Sequence, residues 1–142
     1  MVVGMRWVLV VVLLVMTGCG FGDDSGACST EDGDLVYDLL DGFAQEWDDA
    51  IDIARSTGRI ALSGPIGELQ SIRRDVQRQE WPECATDAHG HLVNWMDGTI
   101  DGFLAFMQQK PDSEITGIFE DANRDQEQFF AALRELRPEI EE

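Results

Sequence analysis

Residues 85–107, with the sequence ATDAHGHLVNWMDGTIDGFLAFM, are the stretch that decides the fold. Apolar residues recur every three or four positions along it, and at about 100° per residue they cover one side of a helix. Pro82 starts this stretch and Pro111 breaks the chain after it, so the pattern predicts one long amphipathic helix, the third of the chain. Its predicted inward positions are Ala85, Ala88, His89, Leu92, Trp95, Met96, Thr99, Ile100, Phe103, Phe106 and Met107.

Residues 29–56 show the same periodicity and predict a first helix with a strongly acidic outer face. Ser29 is suited to cap its start, and Gly58 is suited to end it. Its predicted buried stripe is Leu35, Leu39, Phe43, Trp47, Ala50, Ile51 and Ala54, opposite Asp34, Asp38, Asp41, Asp48 and Asp52.

Two shorter patterns complete the helical part of the chain. After Ile60, Ala61 and Leu62, which we predict to fold as a plug over the end of the core, a second helix runs from about residue 65 to 80. Asp112 or Ser113 is predicted to cap the start of a fourth helix, which ends near Pro138. The predicted inward residues are Ile66, Leu69, Ile72 and Val76 in the second helix, and Ile115, Ile118, Phe119, Ala122, Gln126, Phe129, Phe130, Leu133 and Leu136 in the fourth.

The first 18 residues are typical of a cleaved export signal. Arg6 precedes an apolar run over residues 7–16, which is shorter than the about 20 residues that a helix needs to cross a membrane. Residues 15–19, VMTGC, resemble the lipobox of bacterial lipoprotein precursors. The resemblance implies that the Cys19 thiol is lipidated, that the chain is cut before it, and that the acyl chains anchor the protein in the cell membrane on its extracytoplasmic side. The alternative is an ordinary secretory signal with an unrelated cysteine.

Four amphipathic helices joined by short connections favour an all-α, up-down-up-down four-helix bundle. Its first and third helices are parallel, which brings Cys28 and Cys84 to the same end. If Cys19 carries lipid, Cys28 and Cys84 remain as an even pair in an exported, oxidising setting, so we predict a disulfide between them, and the helix order supports it. Closing a loop of about 57 residues stabilises a fold by about 4 kcal/mol in the chain-entropy model. Two separate buried thiols are the alternative.

These patterns divide the chain into a signal peptide (1–18), a lipidated cysteine with a flexible leash (19–28), a four-helix domain (29–138) and an acidic tail (139–142). Because the leash joins the domain at Cys28, the disulfide end is expected to face the membrane. The opposite end, with Arg55, Arg59, the plug and Lys110, is expected to face outward.

The chain is strongly acidic, with a formal charge of −18. Loss of residues 1–18 removes one positive charge, that of Arg6, so the mature chain would carry −19. Such a surface excludes nucleic acid and anionic lipid headgroups as favourable partners. An envelope protein and a small ligand remain as candidate partners, and the sequence sets no oligomeric state.

The helical domain itself also resembles a known group. Residues 59–66 (RIALSGPI), 69–74 (LQSIRR) and 82–89 (PECATDAH) are similar to segments of a group of small helical bacterial lipoproteins, and the similarity spans about residues 35–135. That group has no assigned activity, so the resemblance implies an anchored helical domain but no catalytic residue.

His89 is the candidate metal or haem ligand. It shares the inward face of the third helix with Met96 and Met107, whereas His91 and Asp87 lie on the outer side, so the two imidazoles do not converge on one ion. Core packing with a hydrogen-bonded imidazole is the simpler interpretation, and methionine at helical spacing is usually core filling. A metal- or haem-binding bundle using His89 is the alternative function.

Two further patterns invite a functional interpretation. Half of the chain's positive charge lies within 24 residues, and such an arginine cluster suits carboxylate or phosphate binding, although pairing with the acidic face of the first helix is the simpler interpretation. Three glycines, predicted on the outward side of the third helix, could admit another chain, although tolerated sequence drift is the simpler interpretation. The arginines are Arg55, Arg59, Arg73, Arg74 and Arg78, and the glycines are Gly90, Gly98 and Gly102.

No catalytic signature is present in the sequence: there is no Ser-His-Asp pattern, phosphate loop or Cys-x-x-Cys pair. We therefore expect neither enzymatic activity nor a cofactor. The sequence predicts a membrane-anchored extracytoplasmic lipoprotein whose helical domain binds an unidentified ligand or partner.

Overall fold

The computed structural model describes residues 28–137, so the predicted signal peptide, Cys19, the leash up to residue 27, Pro138 and the acidic tail lie outside the described residues. The described part is an all-α four-helix bundle, as predicted. Its helices are α1 (Thr30–Ser56), α2 (Ser63–Arg78), α3 (Thr86–Met107) and α4 (Asp112–Glu135), with short 3-10 turns at Arg59–Ala61 and Glu83–Ala85. None of these helices is long and apolar enough to span a bilayer.

The helix ends follow local chemistry. Ser29 caps α1, since its side chain accepts a hydrogen bond from the backbone N–H of Asp32 at 3.3 Å. The predicted side-chain cap of α4 is wrong: Asp112 is already its first helical residue, and Pro111 occupies the capping position without a side-chain hydrogen bond. After α3, Gln109 takes a left-handed conformation with φ of 57°, and the backbone N–H of Lys110 donates to the carbonyl oxygen of Ala105.

The disulfide predicted between Cys28 and Cys84 is present, with a Cα–Cα distance of 5.3 Å. It joins the residue that precedes the Ser29 cap of α1 to the 3-10 turn before α3, which confirms that these two helices start at the same end of the bundle. We call this end the disulfide end, and the end that carries the α1–α2 and α3–α4 connections the distal end.

The core confirms the stripes predicted for α2 and α3 but corrects the first half of α1. Leu35 is 69% exposed and Leu39 is 38% exposed, whereas Val36 and Leu40 are buried. A helix turns 100° per residue, so residues four positions apart differ by about 40° around the helix axis. A series of residues chosen every four positions therefore moves progressively away from the buried face. Counting back from the buried Trp47 by seven and then by four reaches Leu40 and Val36, the residues that are in the core.

The predicted plug is wrong for two of its three residues. Leu62 is 1% exposed and closes the core, but Ile60 is fully exposed and Ala61 is also exposed. The reason is the 3-10 turn at Arg59–Ala61, since a turn of about three residues cannot direct consecutive side chains to one side.

The predicted outward position of the glycine stripe is wrong for two of its three members, because they face α4. A Cβ atom on Gly98 would lie 2.9 Å from the Cβ of Ala122, and one on Gly102 would lie 2.6 Å from the ring of Phe119. Gly90 has open space in front of it. The glycines at 98 and 102 therefore let α3 and α4 approach closely, and this is the most extensive helix pair of the bundle.

The seam between α1 and α4 is different, because these helices make little contact. At the disulfide end the seam is closed: the carbonyl oxygen of Leu136 would lie 2.7 Å from a Cβ on Gly33, and Arg137 donates to Asp34 at 2.7 Å. The guanidinium of Arg137 also lies 4.9 Å from the ring centre of Tyr37. At the distal end the same seam is open, and it forms the candidate site.

Candidate functional site

The candidate site is an open cleft of about 380 Å³ at the distal end, where the last turns of α1 and α3 meet the first turns of α4. We call it the distal cleft. Its volume lies at the lower end of the about 300–1,000 Å³ that is typical of small-molecule pockets. Its lining residues are Ala54, Arg55, Thr57, Leu62, Phe103, Phe106, Ile115, Phe119 and Asn123.

Aromatic rings form one wall of the distal cleft, and the packing of α3 on α4 sets their positions. Phe103 and Phe119 make an edge-to-face pair with ring centres 5.5 Å apart. Gly102 makes room for Phe119, because a side chain at that position would collide with the ring. This wall is therefore held by the contact between two helices rather than by a loop.

The guanidinium of Arg59 packs against Phe106, one of the residues of the wall. It lies 4.5 Å from the ring centre of Phe106, within the range of a cation–π contact. Phe106 is partly buried, so the arginine shields one ring face and brings a positive charge to the edge of the distal cleft.

Arg55 lines the distal cleft directly and, among residues 28–137, is the only charged residue that does so. Its side chain is 66% exposed, and its ion pair with Asp52 is long, at 3.9 Å. A pair with this geometry and exposure contributes little to stability. Burial raises the pKa of the nearby Asp48 carboxyl, with Arg55 acting in the opposite direction and Asp52 and Asp49 adding to the rise. Arg55 is thus an exposed cation that lies near several carboxylates and is held only loosely by one of them.

The arginines singled out in the sequence do not form one site. Arg55 and Arg59 lie at the distal cleft, whereas the three arginines of α2 lie elsewhere. Arg73 forms an ion pair with Asp97 of α3 through two nitrogen–oxygen contacts, and the distance from Nη2 of Arg73 to Oδ2 of Asp97 is 3.0 Å. Arg78 pairs with Asp75 of its own helix at 3.2 Å. Arg74 is exposed, and no ion pair of its side chain occurs among residues 28–137. The structure therefore leaves two of the five arginines for the proposed site.

His89 lies near the disulfide end and stacks on Trp81, with ring centres 5.4 Å apart and planes 28° apart. The Trp81 ring is held in turn by a hydrogen bond from its Nε1 to the carbonyl oxygen of Val76. The His89 Nε2 atom is buried without a hydrogen-bond partner within the described part of the chain. This burial lowers the pKa of the imidazole.

The geometry around His89 offers few further ligands for a metal ion. His91 lies beside Asp125 of α4, at 3.8 Å, and Cys84 is in the disulfide. No group of three or more histidine, cysteine or acidic side chains between residues 28 and 137 is arranged to hold a metal ion. The metal- or haem-binding alternative therefore depends on His89 alone and stays a prediction.

A second, smaller groove of about 310 Å³ lies at the disulfide end, between the start of α1 and the α2–α3 connection. The exposed Leu35 and Leu39 border it together with Trp81 and Pro82. Acidic residues, Asp32 and Glu80, stand at its edges. The two leucines of α1 that the sequence wrongly predicts to be buried therefore flank a surface groove instead of the core.

The sequence does not predict the distal cleft. Phe103, Phe106, Ile115 and Phe119 were correctly placed on inward faces, but a helical pattern cannot distinguish a residue in a closed core from one that lines an opening. The useful signal was the arginine pair Arg55 and Arg59, which lies at the end of α1 beside the apolar ends of two other helices.

No protein-family model, curated protein or solved structure is measurably similar to this chain. The distal cleft must therefore be interpreted from its own geometry.

Proposed function

We propose that this protein is a lipid-anchored extracytoplasmic binding protein whose distal cleft holds a small ligand. The observation that carries the proposal is the position of the distal cleft: it opens at the end of the bundle opposite Cys28. A leash that joins the domain at Cys28 and attaches to lipid at Cys19 would keep that opening away from the membrane.

The chemistry of the distal cleft supports binding rather than catalysis. Its walls are apolar, its polar lining groups are Arg55, Thr57 and Asn123, and the Thr57 hydroxyl already donates to the carbonyl oxygen of Ile53. These groups supply no pairing of a nucleophile with a general base. The proposal therefore contains no reaction step.

Binding is tested with a panel of apolar fragments of negative, neutral and positive charge, followed by the chemical-shift changes of backbone amides. We expect at least one class to shift amides on α1, α3 and α4 around the distal cleft. Asn123→Trp, at an exposed lining position, should block these shifts. Gln128→Trp is the matched control, since residue 128 is exposed and lies about 140° around the same helix. If no class shifts amides there, the binding role is wrong.

The anchor is tested separately. We expect Cys19→Ala to release the protein from the membrane fraction into the soluble extracytoplasmic fraction, because the acyl chains are the proposed attachment. A variant protein that stays as firmly bound to membranes as the unaltered one would contradict the anchor, whatever the distal cleft binds.

An envelope protein partner is the second candidate, and the exposed Ile60 favours it. This isoleucine has no cover within the described chain and follows Arg59 on the distal end. A photoreactive residue placed at position 60 should crosslink to one partner in intact cells, whereas the same residue at position 128 should not. Identical crosslinking patterns at both positions would contradict a specific partner at Ile60.

A further inference from the structure

We infer that the ligand of the distal cleft is a small carboxylate with an apolar body, with the body packed among the phenylalanines and the carboxylate paired with Arg55. This inference rests on the proposed binding function and assigns the ligand's chemical class.

The apolar body follows from the walls of the distal cleft. Phe103, Phe106 and Phe119 present ring surface, and Leu62 closes the inner side while only 1% of its surface is exposed. Removing apolar ligand surface from water against such walls is favourable, at roughly 25 cal/mol per Å². The limited volume selects a short chain or a single ring system rather than a peptide helix.

The negative charge of the ligand is inferred from the absence of acidic residues in the described lining of the distal cleft. The chain has 28 acidic and 10 basic residues, yet none of the lining residues is acidic and one of them is Arg55. Arg59, on the outer face of Phe106, adds a second positive charge nearby. A cationic ligand would meet two guanidinium groups here, whereas an anion would be attracted by both.

A carboxylate fits the geometry of Arg55. The guanidinium fork matches the two oxygens of a carboxylate and binds them through two parallel hydrogen bonds. Asp52 now occupies this position only loosely, at 3.9 Å, and both side chains are largely exposed. A bound carboxylate would therefore replace a weak intramolecular partner rather than break a buried ion pair.

The positions of the aromatic wall and of Arg55 also set the orientation of the bound ligand. The aromatic wall lies on the α3 and α4 side of the distal cleft, and Arg55 lies near the end of α1, where its side chain is exposed to solvent. The carboxylate would therefore stay at the mouth, partly in water, and the apolar body would enter first. This arrangement avoids burial of an unpaired charge, which is costly in a protein interior.

The experiment compares three probes that share a ten-carbon chain, each below its solubility limit or micelle concentration: decanoate, decanol and the decyltrimethylammonium cation. Isothermal titration at constant low ionic strength gives the dissociation constant of each. We expect decanoate to bind most tightly, decanol more weakly and the cation most weakly. Asn123→Trp should abolish decanoate binding and Gln128→Trp should preserve it.

Charge variants isolate the role of Arg55. We expect Arg55→Gln to weaken decanoate binding by roughly 3- to 10-fold while decanol binding stays unchanged. Asp52→Asn should strengthen decanoate binding, because it removes the competing carboxylate. Arg78→Gln is the matched control, since Arg78 is equally exposed and also pairs with an aspartate three residues earlier, but lies on α2 far from the distal cleft.

The outcomes separate the two levels of the proposal. If decanol binds as tightly as decanoate, or Arg55→Gln weakens both equally, the carboxylate assignment is overturned and the binding function stands. If all three probes fail to bind, and the wider fragment panel fails as well, the proposed function is overturned together with this inference.

Discussion

His89 is a residue whose protonation depends on its neighbours. It stacks on Trp81, which also contacts Phe43 edge-on at 6.3 Å, and its Nε2 atom is buried. Its inward position could be predicted from the spacing of residues 85–107, because it shares a face with Ala85 and Leu92. Its stacking partner could not, since Trp81 lies before α3 and its ring orientation depends on the hydrogen bond to Val76.

Acid should weaken the fold through His89. Burial lowers the pKa of its imidazole from the usual 6.5, so the unfolded chain takes up this proton more readily than the folded protein. Well above pH 6.5, His89 is neutral in both states and its protonation does not change the free energy of unfolding. This free energy decreases as the pH falls below 6.5 toward the lower pKa of the folded state. Urea unfolding between pH 7.5 and 5 should show a steeper loss for the unaltered protein than for His89→Gln.

His91→Gln provides the control for this measurement, because His91 lies on another side of α3, beside Asp125. In this variant, the free energy of unfolding should still decrease with falling pH by the amount that is lost in His89→Gln. Equal slopes for the unaltered protein and His89→Gln would contradict a role of His89 burial.

At the scale of helices, the sequence predicted the number, order and most inward faces of α2, α3 and α4. It failed at Leu35 and Leu39 because the apolar residues at the start of α1 cover a broad arc, and only tertiary packing selects which part of the arc is buried. It failed at Gly98 and Gly102 for a related reason. A pattern of large apolar residues marks one face of α3, but the second face, against α4, is made by small residues that look neutral in the sequence.

The α3–α4 contact should respond strongly to one added methyl group. In Gly98→Ala the new Cβ would lie 2.9 Å from the Cβ of Ala122 and 3.4 Å from its Cα, so the helices would have to move apart. We expect a loss of about 1–3 kcal/mol in the free energy of unfolding, measured by urea denaturation. Gly90→Ala has open space and should instead gain up to about 1 kcal/mol through helix propensity. A stabilised Gly98→Ala variant would show that the contact is looser than described.

The end of α3 contains strain that a single glycine should relieve. Gln109 has a φ of 57°, a left-handed conformation that costs a residue with a side chain about 1–2 kcal/mol relative to glycine. We expect Gln109→Gly to raise the free energy of unfolding by about 1 kcal/mol. Gln108→Gly is the control: this residue has a φ of −74°, so glycine brings no relief there and should lower stability. A loss of stability in Gln109→Gly would contradict the assigned strain.

At the scale of the whole molecule, the bundle and its disulfide were predictable because two independent patterns agreed on them. Helix order places Cys28 and Cys84 at one end, and an even pair of cysteines suits the export that the sequence predicts. The distal cleft was not predictable, since it depends on how little α1 and α4 touch near Phe119 while Arg137 closes their seam at the other end. Both facts depend on how α1 and α4 are placed relative to each other in the bundle, which no local pattern specifies.

Reduction of the disulfide should destabilise the fold while leaving the helices formed under native conditions. The bond joins residues 56 positions apart, and the chain-entropy model gives about 4 kcal/mol for such a loop. We expect the midpoint of urea unfolding to fall after reduction, and Cys28→Ser/Cys84→Ser to match the reduced protein. Free thiols at both positions in the purified mature domain, detected by mass spectrometry, would contradict the bond.

The disulfide also determines how the molecule responds to mechanical force. A pull on the chain before Cys28 does not act on α1 alone, because the bond to Cys84 transmits the load directly to the start of α3, the helix that packs most extensively on its neighbours. Helix α1 therefore does not unfold from its N-terminal end one turn at a time under this force. We expect an oxidised molecule held by its N-terminal side to resist unfolding until α3 and α4 separate, and a reduced molecule to yield first at α1.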